Sequence, residues 1–509
     1  MSHTDISSIW TESQPEVQDR PIDSSHHECD VSIVGAGIAG LTTALLLARA
    51  GKSVIILDAG NHVAGGETEF TTAHLSSVID DGFSNVERIR GEEIARIAYR
   101  SHAKAIDTIE QLAKELKIDC DFQRVYGYLF LGPDQEPSLL DEEEKAAWKA
   151  GVLVGRLRNA PSTKVHVGEC LRYPNQGRFN PLKYLAGIRQ AFLDLGGQIF
   201  VRTPVQAVIP GSPVQLKTKP GSTISSKAAV IATNSPINDV VSLHTKQFPY
   251  LTYAISADMP AIKLEDDALY WDTLDPYHYI RFAKDGEGKN SIIVGGEDHK
   301  TGQDDGSGEE HWKRLEAWAR ERVPQMGALR HHWSGQVMET LDGLGYIGAD
   351  PGGDENVFIA TGDSGMGMTH GTIAGLLLTD LILGKENAWT EAYNPSRKPF
   401  RSLGEYIGEN LKVAAQFTDW VTGGDVKSAD QIPPGEGAVL RSGLSKLAVY
   451  KDESGTLIQN SATCPHLGCV VHWNTAAKTW DCPCHGSRFT ARGKVMHGPS
   501  TSDLKPAEE

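Results

Sequence analysis

The stretch that decides the fold is Asp30-Val-Ser-Ile-Val-Gly-Ala-Gly-Ile-Ala-Gly40. An apolar run of strand type enters a Gly-x-Gly-x-x-Gly turn, and a helical pattern follows to about residue 50. Each glycine has its own duty. The first permits the tight turn, the second lets the backbone approach a pyrophosphate, and the third lets helix pack on strand. The helix N-terminus then offers free N–H groups and a partial positive charge to phosphate. Residues 52–57 read as a second strand ending at Asp58, whose carboxylate is placed to accept from a ribose hydroxyl. Strand, Gly-rich turn, helix and strand together predict a dinucleotide-binding α/β domain that uses Gly35, Gly37, Gly40 and Asp58.

The bulk properties bound the rest. With 509 residues the chain has room for two to four domains, and its composition is that of an ordinary soluble protein. A formal charge of −17 leaves no basic excess to neutralise phosphates, which speaks against nucleic acid as a partner. The N-terminal residues lack the basic start and apolar run of a signal peptide. The most apolar segments, 31–50 and 374–384, are interrupted by Gly, Thr, Arg or Asp, so no membrane span is expected. A cytoplasmic enzyme is the expectation.

Along the chain, residues 1–28 are polar and predict an arm over the surface. Residues 85–157 read as helical, 182–195 as a helix closed by Gly196-Gly197, and 198–233 as short strands. Residues 249–345 mix strands with one helix near 309–323, and 355–384 read as strand, Gly-rich turn and helix. Leu403, Ile407, Leu411, Ala414 and Val421 recur at helical spacing and predict a linker helix within 391–424. From 425 to 509 the text is strand-like and turn-rich, as a small all-β domain would be.

Two further segments choose between NAD and FAD. Gly65-Gly-Glu-Thr-Glu-Phe-Thr-Thr-Ala-His74 follows Asp58 closely, and Val357-Phe-Ile-Ala-Thr-Gly-Asp-Ser-Gly-Met-Gly-Met-Thr-His370 brings a second Gly-rich turn onto a helix. With 31–58, these segments resemble the FAD-dependent oxidoreductases of the D-amino-acid oxidase, glycine oxidase and sarcosine oxidase group, over about residues 28–390. The resemblance implies FAD-binding segments near 29–84, 165–248 and 335–390, with substrate segments near 85–164 and 249–334. It further implies FAD contacts from Ala59, Gly66, Thr71, Thr72, His74, Val205, Thr233, Gly362, Gly365, Gly367, Met368 and Thr369. Phe70 stands where some relatives carry a flavin-linking His, which implies a non-covalent flavin. Ile292-Ile-Val-Gly-Gly-Glu297 lacks the third Gly of a second dinucleotide turn, so direct reduction by a nicotinamide is not expected.

The cysteines divide unevenly. Cys29, Cys120 and Cys170 are scattered, whereas Cys464, Cys469, Cys482 and Cys484 fall within 21 residues, which reads as metal binding. Cys464-Pro-His466 and Cys482-Pro-Cys-His485 each offer one thiolate and one imidazole. Such a set suits tetrahedral zinc, or a [2Fe–2S] cluster with two Cys on one iron and two His on the other. One ligand of each kind per loop favours the binuclear centre. The wording C-P-H-L-G-C and C-P-C-H-G-S resembles Rieske proteins, with Gly498-Pro499 like the loop that covers their cluster. That resemblance implies Cys464, His466, Cys482 and His485 as ligands, a Cys469–Cys484 disulfide, and Ser487 as a donor to a sulfide. Phe489 stands where the respiratory type has Tyr. His472 and His497 fit neither ligand loop and are expected to face solvent.

A small amine or amino acid is the expected substrate, giving a hydride to the flavin. Electrons would leave singly through the cluster to a soluble carrier such as a ferredoxin, a cytochrome or a quinone-linked protein. Tyr277-His-Tyr-Ile-Arg-Phe282 reads as a strand with Tyr277, Tyr279 and Arg281 on one face. Arg281 and Tyr279 would clamp a carboxylate, and His299 and His370 are candidate proton carriers. The alternatives are an electron-transfer module between protein partners and a redox sensor without turnover.

Overall fold

Val31, Ile33 and Val34 are all buried, the pattern of a parallel strand covered on both faces. They belong to strand His26–Val34, at the centre of the larger domain in this computed structural model. The structure describes residues 7–13, 19–23, 25–238, 241–303, 308–354, 356–398, 408, 410, 416, 419–420, 423–443 and 445–507. The linker positions Leu403, Ile407, Leu411, Ala414 and Val421 lie outside the described residues.

His26–Val34 pairs in parallel with Val54–Leu57 on one side and Thr223–Ile231 on the other. Gln198–Phe200 and Val357–Thr361 continue the sheet outward in parallel, and Tyr346–Ala349 closes one edge antiparallel. Helix Ile38–Arg49 packs between helices Pro181–Asp194 and Gly367–Ile382. Helix Pro181–Asp194 starts where expected: the Asn180 side chain accepts from the Leu182 and Lys183 N–H groups, with Pro181 in the first turn.

The second sheet runs, in spatial order, Leu329–Thr340, Gln247–Asp258, Asn290–Lys300, His278–Lys284, Ala268–Asp272, Gln123–Phe130, Cys170–Arg178 and His74–Leu75. A bulge in Asn290–Lys300, where Glu297 takes φ +61°, sets two residues against one on the neighbouring strand. Such bulges re-aim side chains, and this one turns Asp298 toward Tyr277, Tyr279 and Asp80.

Two expectations need correcting. Residues 85–157 are not continuously helical. Helices Gly82–Arg90, Glu92–Glu115 and Ser138–Ala150 are interrupted by strand Gln123–Phe130, whose Val125, Tyr128, Leu129 and Phe130 are strand formers buried in the second sheet. The N-terminal arm does not merely lie over the surface. Ile9 and Trp10 are each 1% exposed, and Trp10 Nε1 donates to the Thr71 carbonyl at 2.6 Å. Two large apolar side chains in a polar segment suffice to pull it into the core.

The C-terminal domain holds a three-stranded sheet, Glu436–Ser442, Ser445–Lys451 and Leu457–Ser461, among the described residues. The strands His472–Asn474, Thr479–Asp481, Arg488–Thr490 and Val495–His497 form a second, four-stranded sheet. The two Cys-and-His loops precede and interrupt the second sheet.

Candidate active site and iron–sulfur centre

Gly35 takes φ +105°, and a Cβ there would lie 2.3 Å from the Ala232 carbonyl oxygen. A Cβ on Gly40 would lie 1.9 Å from the carbonyl oxygen of Gly35. Positions 35 and 40 are therefore closed to any side chain, as a backbone turn that cradles a pyrophosphate requires. Asp58 accepts from the Ala36 N–H at 2.6 Å and the Gly60 N–H at 2.7 Å, while burial raises its pKa against those two contacts. Thr68 Oγ1 reaches the same turn, so segment 65–74 folds directly onto it. Gly40→Ala is expected to yield protein without bound flavin, read by visible absorbance after gel filtration; retained flavin would refute the backbone cradle.

The later Gly-rich turn has Gly362 at φ +70° and Gly365 at φ +73°, then enters helix Gly367–Ile382. Met368 and Thr369 are buried in its first turn, with Thr369 Oγ1 2.8 Å from His102 Nδ1. Val205 is buried at the start of its strand, Ala59 is exposed after Asp58, and Thr233 Oγ1 donates to the Ser235 carbonyl. His74 packs edge-on to Tyr279 at 5.0 Å, and its Nε2 is buried without a hydrogen-bond partner. Burial, with Arg281 nearby, lowers its pKa to about 3, so it stands as a neutral imidazole.

Three of the expected catalytic residues are occupied otherwise. Arg281 is 1% exposed and donates to the carbonyls of Thr72, Ala73, Phe179 and Phe282. Its guanidinium, 5.2 Å from the Trp10 ring centroid, staples segment 71–74 and the arm to the second sheet instead of clamping a substrate carboxylate. His370 donates from Nδ1 to the Asp363 carbonyl, and its Nε2 accepts from the Gly345 N–H. Both nitrogens thus hold the flavin turn in shape and are not free to move protons. His299 stacks with Tyr253 and His311 and contacts the Lys300 carbonyl.

Carboxylates line the same region, and the sequence reading missed them. Tyr277 donates to Asp80 at 2.7 Å, and Asp80 Oδ2 lies 2.1 Å from where a Cβ on Gly365 would sit. Asp81, Asp298 and Asp363 are close enough for each to raise the titration of both Asp80 and Glu339, and Asp80 raises that of Glu339. Burial first, then these like charges, pushes Asp80 up to about 7 and Glu339 well above its ordinary value. Burial likewise raises Asp298 to about 7 and Asp363 to about 6. Asp298 Oδ1 is buried with no hydrogen-bond partner. Asp80, Asp298, Glu339 and Asp363 are all partly buried. Among the described residues no Lys or Arg pairs with these four. Tyr277 and Tyr279, stacked 5.3 Å apart, form the adjoining wall.

At the other centre, the thiols of Cys464 and Cys482 are each 1% exposed and face each other within hydrogen-bond reach. The His466 and His485 rings meet at right angles, 5.0 Å apart. Two sulfur donors on one side and two imidazoles on the other match the divided ligation of a [2Fe–2S] centre. Cys469 and Cys484 are joined as a disulfide with Cα atoms 6.5 Å apart, which ties one ligand loop to the other. Ser487, fully buried, accepts from the Ser500 N–H and lies against Cys464.

His497 does not face solvent as expected. Its Nδ1 lies 3.1 Å from Glu67, and burial lowers its pKa to about 3. His472 is half-buried beside Asp419 at 3.1 Å. Glu67 belongs to segment 65–74, so the two domains meet there. The Gln336 backbone N–H also donates to Glu67, and its side chain donates to the Gly486 carbonyl, next to His485.

Fold and sites together define a flavin-dependent oxidoreductase with an attached iron–sulfur module. A family model described as FAD dependent oxidoreductase matches residues 30–381, and one described as Rieske [2Fe-2S] domain matches residues 423–508. YhfW of Bacillus subtilis (strain 168), named as a Rieske 2Fe-2S iron-sulfur protein, is 31% identical over 481 residues, covering 94% of this chain and 93% of its own. Gamma-glutamylputrescine oxidoreductase of Escherichia coli (strain K12) is 24% identical over 388 residues, 73% of this chain and 88% of its own. Glycine oxidase from Geobacillus kaustophilus superposes with a TM-score of 0.61 at 20% identity, covering 73% of this chain and 99% of that one. The chain belongs to the FAD dependent oxidoreductase family and ends in a Rieske domain, so its cofactors are FAD and a [2Fe–2S] cluster. No helix of the described residues is long and apolar enough to cross a membrane.

Proposed function

We propose that the protein oxidises a small cationic amine at the C–N bond and passes the electrons through its Rieske cluster to an external one-electron carrier. The observation that carries the substrate side is the wall of Asp80, Asp298, Glu339 and Asp363 beside the flavin turn, in a domain whose Arg281 is spent on backbone carbonyls. Carboxylates crowded out of water await a cation. An amino acid bound through its carboxylate would meet repulsion here. The relative named for gamma-glutamylputrescine, an amine, points the same way.

The chain's own residues divide the work. Asp80, oriented by Tyr277, and Asp298 with its unpartnered oxygen hold an ammonium group. A second nitrogen, left neutral, presents its α C–H toward the flavin turn. Asp363, whose carboxyl burial raises to about 6, is suited to accept the proton that an arriving amine must lose. Tyr277, Tyr279 and the buried His74 exclude water from that wall. When bound, FAD supplies the hydride acceptor and the cluster a one-electron relay. Cys464 and Cys482 would hold one iron of the cluster, and His466 and His485 the other. FAD would be held non-covalently by Gly35, Gly37, Gly40 and Asp58, with segments 65–74 and 362–369 nearer its ring.

The test is anaerobic mixing of holoprotein with diamines, N-alkylated amines and D- and L-amino acids across pH. Flavin bleaching by a diamine should strengthen as pH rises from about 5 to 8, because Asp80 and Asp298 become anionic through about 7. Bleaching by zwitterionic amino acids alone, or binding that weakens with rising pH, would defeat the reading.

A further inference from the structure

The oxidoreductase domain covers the imidazole edge of the iron–sulfur site. His244, on the short helix Val241–His244, is 5% exposed, and its ring lies 4.9 Å from that of His466 and 5.6 Å from that of His485. His485 is itself only 9% exposed. The ligand loop is pinned beside it. Gly486 takes φ +81°, and a Cβ there would lie 2.5 Å from Pro249 and 2.7 Å from Gln336 Nε2. Gln336 is 3% exposed, and its side chain donates to the Gly486 carbonyl at 2.8 Å. From the same residue, the backbone N–H donates to Glu67 at 2.7 Å. One residue thus joins segment 65–74, against the nucleotide turn, to the carbonyl that follows ligand His485. Gly498 sits beside Ser235, just beyond strand Thr223–Ile231. That places the cluster-covering loop at the carboxyl ends of the parallel strands, where open α/β sheets bind their ligands.

We propose that this interface carries electrons between flavin and cluster within one chain, with Gln336 and His244 as the residues that position the cluster's imidazole edge against the flavin-binding segment. It rests on the reading that the cluster relays electrons from the flavin. The balance is two single steps. Each takes one electron from the two-electron-reduced flavin to the diferric cluster, giving the mixed-valence cluster and releasing one proton from the flavin. A one-electron carrier reoxidises the cluster after each step, so two carrier molecules restore the oxidised flavin.

The experiment needs no substrate. In anaerobic holoenzyme the flavin is photoreduced with EDTA and light, and the cluster is followed by its reduced-state EPR signal over a hundredfold range of protein concentration. The expected rate of cluster reduction is independent of concentration. A rate proportional to concentration means transfer between chains and overturns the proposal. In Gln336→Met, which keeps the length of the side chain but removes its N–H donors, cluster reduction should slow by about tenfold, since small misplacements of reacting groups are costly. Flavin photoreduction in the same sample is the internal control. In His244→Phe, which keeps a ring there, the EPR g-values and cluster potential should shift, a change that a residue remote from the ligands would not cause. Variants with wild-type rates and spectra would overturn the assignment of both residues. Light-driven transfer without any amine reducing the flavin would instead sink the amine reading and leave the interface standing.

Discussion

Cys464→Ser is expected to abolish the iron–sulfur signal and, with it, turnover with one-electron carriers, while an amine still bleaches the flavin. The thiol is 1% exposed and faces Cys482, with the fully buried Ser487 beside it, so a lost sulfur ligand is not replaced by water. A serine hydroxyl is far too weak an acid to serve as a soft thiolate ligand. The nearest other sulfurs, Cys469 and Cys484, are tied up as a disulfide and offer no substitute. That bond remains in the variant and holds the two loops together, which favours a folded clusterless domain. Iron content, EPR and stopped-flow absorbance with an amine and a carrier read the three parts separately. Carrier reduction at the wild-type rate in the clusterless chain would show that the flavin discharges directly and that the cluster is no relay.

How much of this was legible depended on whether the chemistry was local. Gly35, Gly37, Gly40 and Asp58 could be singled out as candidates because one strand–turn–helix–strand unit carries them all. Cys464, His466, Cys482 and His485 could be singled out as candidate ligands because each of the two loops is written in a few adjacent residues. Alternation correctly put Tyr277, Tyr279 and Arg281 on one face, yet it carries no information about what meets that face. The carbonyls of Thr72, Ala73 and Phe179 converge on Arg281 from segments far away in the chain. The acidic wall was invisible for the same reason, since Asp80, Asp298, Glu339 and Asp363 come from a loop, two strands and a turn. Asp298 faces it only through the bulge at Glu297, and no periodicity announces a bulge. His244 and His497 were misjudged or overlooked because burial between domains is decided by docking, which the sequence of either domain does not record.

Asp342→Ala is expected to destabilise the oxidoreductase domain by about 3–5 kcal/mol, the cost of leaving buried charge unpaired. Asp342 is 3% exposed and accepts from Arg397 at 2.7 and 2.8 Å and from Arg90 at 2.5 Å. Arg397 also lies 3.8 Å from the Tyr346 ring centroid and donates to the Leu344 and Gly345 carbonyls. The Gly345 N–H in turn binds His370, which holds the Asp363 carbonyl of the flavin turn. Removing one carboxylate therefore strands two guanidiniums and loosens the chain of contacts that shapes the flavin site, so weaker flavin retention should accompany the lower melting temperature. Burial alone would raise the Asp342 pKa; Arg397 and Arg90 overcome it and hold the group down to about 2. The sign of the pH effect follows. A carboxyl depressed in the folded state stabilises above its unfolded pKa of about 4, and that stabilisation is lost as pH falls from there through about 2. Wild type should thus lose stability over that acid window, and the Asp342→Ala chain should lose less, since the group is already gone. Thermal melts of both proteins at pH 7 and near pH 3 make the comparison. Equal melting temperatures at pH 7 would mean that the two arginines find other partners and that the carboxylate holds nothing in place.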